Sequence, residues 1–209
     1  RITGYVKSAV GVARGLFDVF VAMVVSIYIL AERNEIFKFF KKLFKAIFKP
    51  KTCNYIEKYF YSSNGVFFKF ISSQLIDALV VGILATVTMK ILGIKYATLL
   101  GFTIGLFNMI PYFGAIIAIS IAGIITLITG GVSKAIIMLI VVTILQQVDA
   151  NIINPKIIGD SLKISPLLVI LAVTIGGEYF GLIGMFLGVP VAAVLKILVN
   201  DYIDNKLEV

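Results

Sequence analysis

Apolar runs of bilayer length constrain this sequence more than any motif does. From Leu16 to Ala31 a single charge, Asp18, interrupts the run, and with Val10 to Gly15 in front it reaches the roughly 20 residues that carry a helix through a membrane. Further apolar stretches follow from Ser73 to Leu92, Tyr96 to Thr129, Lys134 to Asn154 and Pro166 to Val199. Apolar residues make up 60% of the 209 and charged residues 14%, with a mean hydropathy of +1.05. Soluble domains of this size are about half apolar and a quarter charged, so a soluble globular fold is excluded.

The net charge of +8 does not point to nucleic acid, because its excess is local: eight of the 19 Lys and Arg residues lie between Arg33 and Lys58. Wound at about 100° per residue, this segment gathers Phe37, Phe40, Phe44, Ile47 and Phe48 on one side. Lys38, Lys41, Lys42, Lys45 and Lys49 supply its basic side, so it reads as an interfacial amphipathic helix resting on anionic lipid. The positive-inside rule then puts it in the cytoplasm. The first span runs inward, the second, Ser73 to Leu92, runs outward, and the third, Lys134 to Asn154, is expected to stop against Pro155.

Two apolar stretches are broken. Asn108, Pro111 and Gly114 divide Tyr96 to Thr129 into halves of about 18 and 23 Å as helices, too short for a hydrocarbon core of about 30 Å. Gly176, Gly177, Glu178 and Gly181, and then Pro190, interrupt Pro166 to Val199. Each stretch therefore reads as a re-entrant-like hairpin with both ends on one face, which leaves the C-terminal tail in the cytoplasm.

The second half also echoes itself. Gln74-Leu75-Ile76-Asp77-Ala78 returns as Gln146-Gln147-Val148-Asp149-Ala150, and Tyr112-Phe113-Gly114 as Tyr179-Phe180-Gly181, in the same order at offsets of 72 and 67. One span plus an even hairpin is an odd number of crossings, so the second copy is inverted, the architecture of secondary transporters. The expected fold is an all-α polytopic membrane protein in three parts. Residues 1–71 hold a transmembrane helix and the basic amphipathic segment, 72–133 the first repeat, and 134–209 the second repeat and tail.

The chain has no histidine, which removes His-based triads and His-ligated metals, and its one cysteine, Cys53, cannot form an internal disulfide. No cofactor or metal site is expected. Because the first residue is Arg1 rather than Met, the chain is read as a fragment or a processed form.

Polar groups in the hydrocarbon zone are costly unless paired or wetted, which makes each a candidate for function. The expected substrate or ion site comprises Asn108, Pro111 and Tyr112 at the first break and Gln146, Gln147, Asp149, Asn151 and Asn154 at the end of the third span. Gly177 and Glu178 at the second break complete it. Asp77 is read as snorkelling to the interface, and Tyr179 as a possible cavity wall. Gly114, Pro155, Gly159, Pro166, Gly181, Gly184 and Pro190 are assigned to hinges and packing.

The run Phe107 to Gly114, Gln146 to Asn151, Asn154 to Gly159, Pro166, Gly176-Gly177, Phe180 to Met185 and Val189 to Lys196 resembles the AI-2E family of bacterial permeases, the autoinducer-2 exporter family. The likeness covers about Gln74 to Lys196. It implies a prokaryotic inner-membrane protein with about three further N-terminal spans, working as a homo-oligomer in quorum-sensing export of autoinducer-2 or, in some relatives, in sodium/proton exchange. The sequence departs from the family pattern at Ala150, where the family often has an asparagine-like residue, and at Ser165, where many members carry a histidine before the proline; the second departure puts proton coupling by that histidine's route in doubt.

Alternating-access transport of a small polar solute is the first reading, with Na+ or H+ as a possible coupling ion. A cation/proton antiporter using Glu178 and Asp149 is the runner-up. A non-transporting membrane scaffold or developmental protein is a different class, in which the hairpins only pack. An intramembrane aspartyl enzyme using Asp77 and Asp149 lacks any further catalytic signature, and the chain is read as a non-enzyme.

Overall fold

The computed structural model describes residues 2–158 and 164–207. Every element among them is helical: α1 (Ile2–Ala31), α2 (Arg33–Ile47), α3 (Pro50–Ile91), α4 (Ala97–Asn108), α5 (Phe113–Val148), a π-helical turn (Asp149–Ile153), α6 (Asn154–Ile158) and α7 (Pro166–Leu207). Four of the described helical stretches are long and apolar enough to cross a membrane, namely Ala13–Ala31, Thr52–Ile91, Phe113–Ile157 and Pro166–Asp204. Large apolar side chains such as Phe17, Leu79, Ile128 and Ile183 cover their outer faces, which only lipid or protein can solvate. This is a multi-pass membrane protein.

The compact unit Arg1–Lys58 contains the amphipathic helix as expected. None of the residues of α2 is buried, and Phe37, Phe40 and Phe44 stay open on one face while Lys38 pairs with Glu35 at 3.0 Å. Lys41 reaches Glu57 at 2.6 Å. Such exposed pairs contribute little to stability, so the unsatisfied apolar face is the dominant feature of this helix.

The unit Tyr59–Val209 is built from hairpins. Glycine lets α4 return antiparallel along α3 at very short range: a Cβ on Gly105 would meet the Ala78 carbonyl oxygen at 2.5 Å, and one on Gly101 the Thr86 backbone nitrogen at 2.7 Å. The chain then turns at 109–112. Gly114 sits so close to the Phe107 carbonyl that a Cβ would lie 1.7 Å from it, which excludes any other residue. Helix α5 is itself two arms, folded at Gly131 (φ 81°, ψ 175°), so that Gly123 on one arm faces Leu139 on the other. Lys134, beside that fold, donates to the Gly93 carbonyl at 2.9 Å. Val81, Ala85, Leu100, Ile104, Ala118, Ala122, Met138 and Val142 fill the space between α3, α4 and both arms of α5.

Helix α7 folds in the same way at Gly181 (φ 59°, ψ −145°), with Gly176 against Gly184 and Ala172 against Gly188. Gly176, Gly177 and Glu178 do not break the helix as expected; only Gly181 has the positive φ that reverses the chain, and the other glycines allow the arms to touch. Pro190 is likewise carried inside the second arm. That arm runs antiparallel to α3, since Val189 packs with Phe70 and the Tyr59 hydroxyl donates to Asp201. The 109–112 turn and the Gly181 turn therefore point in opposite senses along α3, and Ile110 of the first packs with Val173 and Val189, on the two arms of α7, over Phe70.

The third span also differs from expectation at its end. The helix continues past Pro155 to Ile158, because the wide turn at Asp149–Ile153 leaves Pro155 as the second residue of α6, where no N–H is needed. Gly159 lies outside the described residues.

Candidate functional site

A cavity of about 460 Å3 opens between the 109–112 turn and the arms of α7. The 109–112 turn supplies Ile110, Pro111 and Tyr112, the end of α5 Gln146 and Gln147, the π turn Asp149 and Ala150, and α6 Asn154. Phe70, Ile164, Val169 and Val189 form its apolar wall. The Tyr112 backbone has φ +64°, rare for a side-chain-bearing residue, and the short γ-like contact of Phe113 N–H with the Pro111 carbonyl at 2.8 Å accompanies it.

Asn108, the last residue of α4, makes the central contacts. Its amide donates to Asp77 Oδ2 at 2.8 Å and to Asp149 Oδ2 at 3.1 Å, so one side chain joins α3, α4 and the π turn. Asp77 is 0% exposed and Asp149 5%. Asp77 does not snorkel as expected: it is fully buried and bonded to Asn108 of α4. Gln74, one turn earlier, is 1% exposed and donates to the Met109 carbonyl at 2.9 Å, which fastens the 109–112 turn to α3. Ser73 bonds the Ile157 carbonyl at 3.5 Å and holds α6 alongside.

The two Gln-x-x-Asp segments that echo each other in sequence thus face one another across Asn108. Gln74 and Asp77 were not among the expected site residues, although that echo was the signal that could have found them. Of the expected residues, Asn108, Pro111, Tyr112, Gln146, Gln147, Asp149 and Asn154 come together around the cavity. Asn151 is turned outward, bonding the Gln147 carbonyl at 2.7 Å, while Gly177 and Glu178 lie on the first arm of α7, away from the cavity, with Glu178 exposed. Tyr179 is also exposed.

Chemically the site offers amide donors and acceptors and two carboxyls beside an apolar wall, a pattern suited to a small polar or hydroxylated solute. Among the described residues no group of three or more His, Cys, Asp or Glu side chains is placed to hold a metal.

The sequence model of the AI-2E family transporters matches residues 1–204. The chain belongs to the AI-2E family. Its relatives include a Bacillus subtilis protein with the provisional name transport protein YrrI, 36% identical over 139 residues, which are 66% of this chain and 39% of that protein. A second B. subtilis protein, provisionally transport protein YueF, is 37% identical over 61% of this chain and 34% of its own length. A provisional transport protein of Borreliella burgdorferi is 26% identical over 80% of this chain and 47% of its own. The AI-2E chain described here therefore spans less than half the length of these relatives, all of which are named for transport rather than for an enzymatic activity.

Proposed function

We propose that this AI-2E chain is the solute-handling part of a secondary transporter that moves a small polar solute of the autoinducer-2 type by alternating access. The cavity between the 109–112 turn and the arms of α7 carries the reading. Its volume falls within the roughly 300–1,000 Å3 of small-molecule sites, and its Gln146, Gln147, Asn154 and Asp149 groups match a compact solute rich in hydroxyls and carbonyls. Two hairpins that reach one site from opposite ends are an arrangement in which access passes from one side to the other when one hairpin moves. The Gln-x-x-Asp echo supports an inverted repeat as the origin of that symmetry.

The basic, Phe-faced α2 rests on anionic lipid at the cytoplasmic face of a bacterial inner membrane, and the C-terminus lies on the same side, with a homo-oligomer as the working form. Cation/proton exchange is the alternative within transport; of the two acids it would use, the cavity holds Asp149 and not Glu178.

The test is uptake of labelled autoinducer-2 into liposomes that hold the intact protein, beside a Gln147→Leu, Asn154→Leu variant. Flux that depends on protein and falls in the variant supports the reading. Well-folded protein that moves no autoinducer-2, or a variant with unchanged flux, counts against it.

A further inference from the structure

Beneath the cavity, which Asp149 lines, two carboxyls come together, and among the described residues that line the cavity none carries a positive charge. Asp77 comes from α3 and Asp149 from the π turn; α4 faces them with the neutral Asn108, and α6 brings the neutral Asn154 to the cavity. From α7 and the stretch before it the cavity receives Ile164, Val169 and Val189, and no Lys, Arg or Glu is among its described lining residues. Asn108 has two N–H groups and spends one on each carboxyl. The other oxygen of each acid, Oδ1, is sealed from solvent without a hydrogen-bond partner, and so is Oε1 of Gln74, a side chain 99% buried in the cavity wall.

Two acids that share one amide donor in a buried site do not both hold a full charge without a counter-ion. A single proton resolves the arrangement. Held by one acid and shared with the other, it gives a buried carboxyl a donor of its own, and the pair carries one negative charge instead of two. We propose that Asp77 and Asp149 hold one exchangeable proton between them, bridged by Asn108, and that this proton is the coupling ion of the transport cycle. On release the pair opens to the cavity that Asp149 lines, the O–H bond breaks, the proton passes to water there, and the pair gains one negative charge. Repulsion between the two carboxylates then acts across the boundary of α3 and the π turn, whose wide backbone turn is the element placed to yield. The coupling part rests on the transport reading above; the shared proton does not.

The experiment uses the intact protein in lipid nanodiscs and infrared difference spectroscopy of the protonated-carboxyl C=O stretch. A band is expected at neutral pH that moves to lower frequency when aspartate is labelled with 13C at its side-chain carboxyl. It is expected to vanish in Asp77→Asn and in Asp149→Asn, and to persist in Glu178→Gln. The isotope shift in unsubstituted protein keeps the test decisive if either variant fails to fold. Absence of the band, a band without the isotope shift, or a band that survives both substitutions overturns the shared proton.

In liposomes, autoinducer-2 flux is expected to drop to background when the imposed proton gradient is collapsed. Flux that ignores the gradient overturns the coupling and leaves transport standing. A shared-proton band in protein that moves no autoinducer-2 overturns the transport reading and leaves the proton site standing.

Discussion

Gly105→Ala should damage the site without touching it. The new Cβ would lie 2.5 Å from the Ala78 carbonyl oxygen and 2.9 Å from Gly82 Cα, both backbone atoms that cannot rotate away. Ordinary contact begins near 3.4 Å, so α4 must retreat from α3 by about 3.4 − 2.5 = 0.9 Å. Asn108 lies less than one turn beyond Gly105 on the same helix, and its 2.8 Å bond to Asp77 is made across this very seam. The retreat carries that contact towards about 3.7 Å, beyond hydrogen-bonding range. Overpacking of this kind costs about 1–3 kcal/mol, and the weakened amide bridge adds to it. Thermal unfolding of the intact protein in detergent measures the loss, with Gly65→Ala as the control, because nothing lies within 4 Å of a Cβ there and alanine favours the helix. Solute flux should fall in Gly105→Ala and not in the control. Equal unfolding temperatures and equal flux for the two variants would refute the close-seam argument.

Asn108→Leu removes both bonds to the buried acids; one bond to a charged partner contributes about 1.5–3 kcal/mol and one to a neutral partner about 0.5–1.5 in water-soluble proteins, and less in membrane helices, so a loss of about 2–4 kcal/mol is expected by chemical unfolding. Gln147→Leu, at an exposed position on the cavity wall, should lower autoinducer-2 flux by about tenfold, the equivalent of one lost hydrogen bond, while the unfolding midpoint stays within error of the unsubstituted protein. The chain has no tryptophan, so Phe40→Trp places a single reporter in it on the apolar face of α2, and brominated lipid should quench it strongly in anionic bilayers. Fluorescence that is indifferent to brominated lipid would remove α2 from the membrane surface.

Much of the architecture is legible in the sequence because a bilayer imposes strict rules. Apolar run length marks the helices, and the Phe and Lys periodicity marks α2, since both follow from residue chemistry along one segment. The break at 109–112 is legible for the same reason: Asn108, Pro111 and Gly114 each disfavour continued helix. The fold at Gly131 is legible too, since the apolar stretch that ends at Thr129 and the span that opens at Lys134 leave Gly130-Gly131 between them, where the chain reverses. Sequence could not choose among Gly176, Gly177 and Gly181, for only the packing of the arms decides which glycine bends and which lets the helices touch.

For the site the division is sharper. Sequence alone determines that polar groups gather at the end of the third span and at the first break, because lipid does not tolerate them unpartnered. Burial belongs to tertiary structure. Asp77 has the same Gln-x-x-Asp surroundings as Asp149, and nothing local distinguishes an acid that reaches for the interface from one sealed among helices. Only the short approach of α4 to α3, permitted by glycines about two turns or less from Asn108, brings one amide between two acids that lie 72 residues apart.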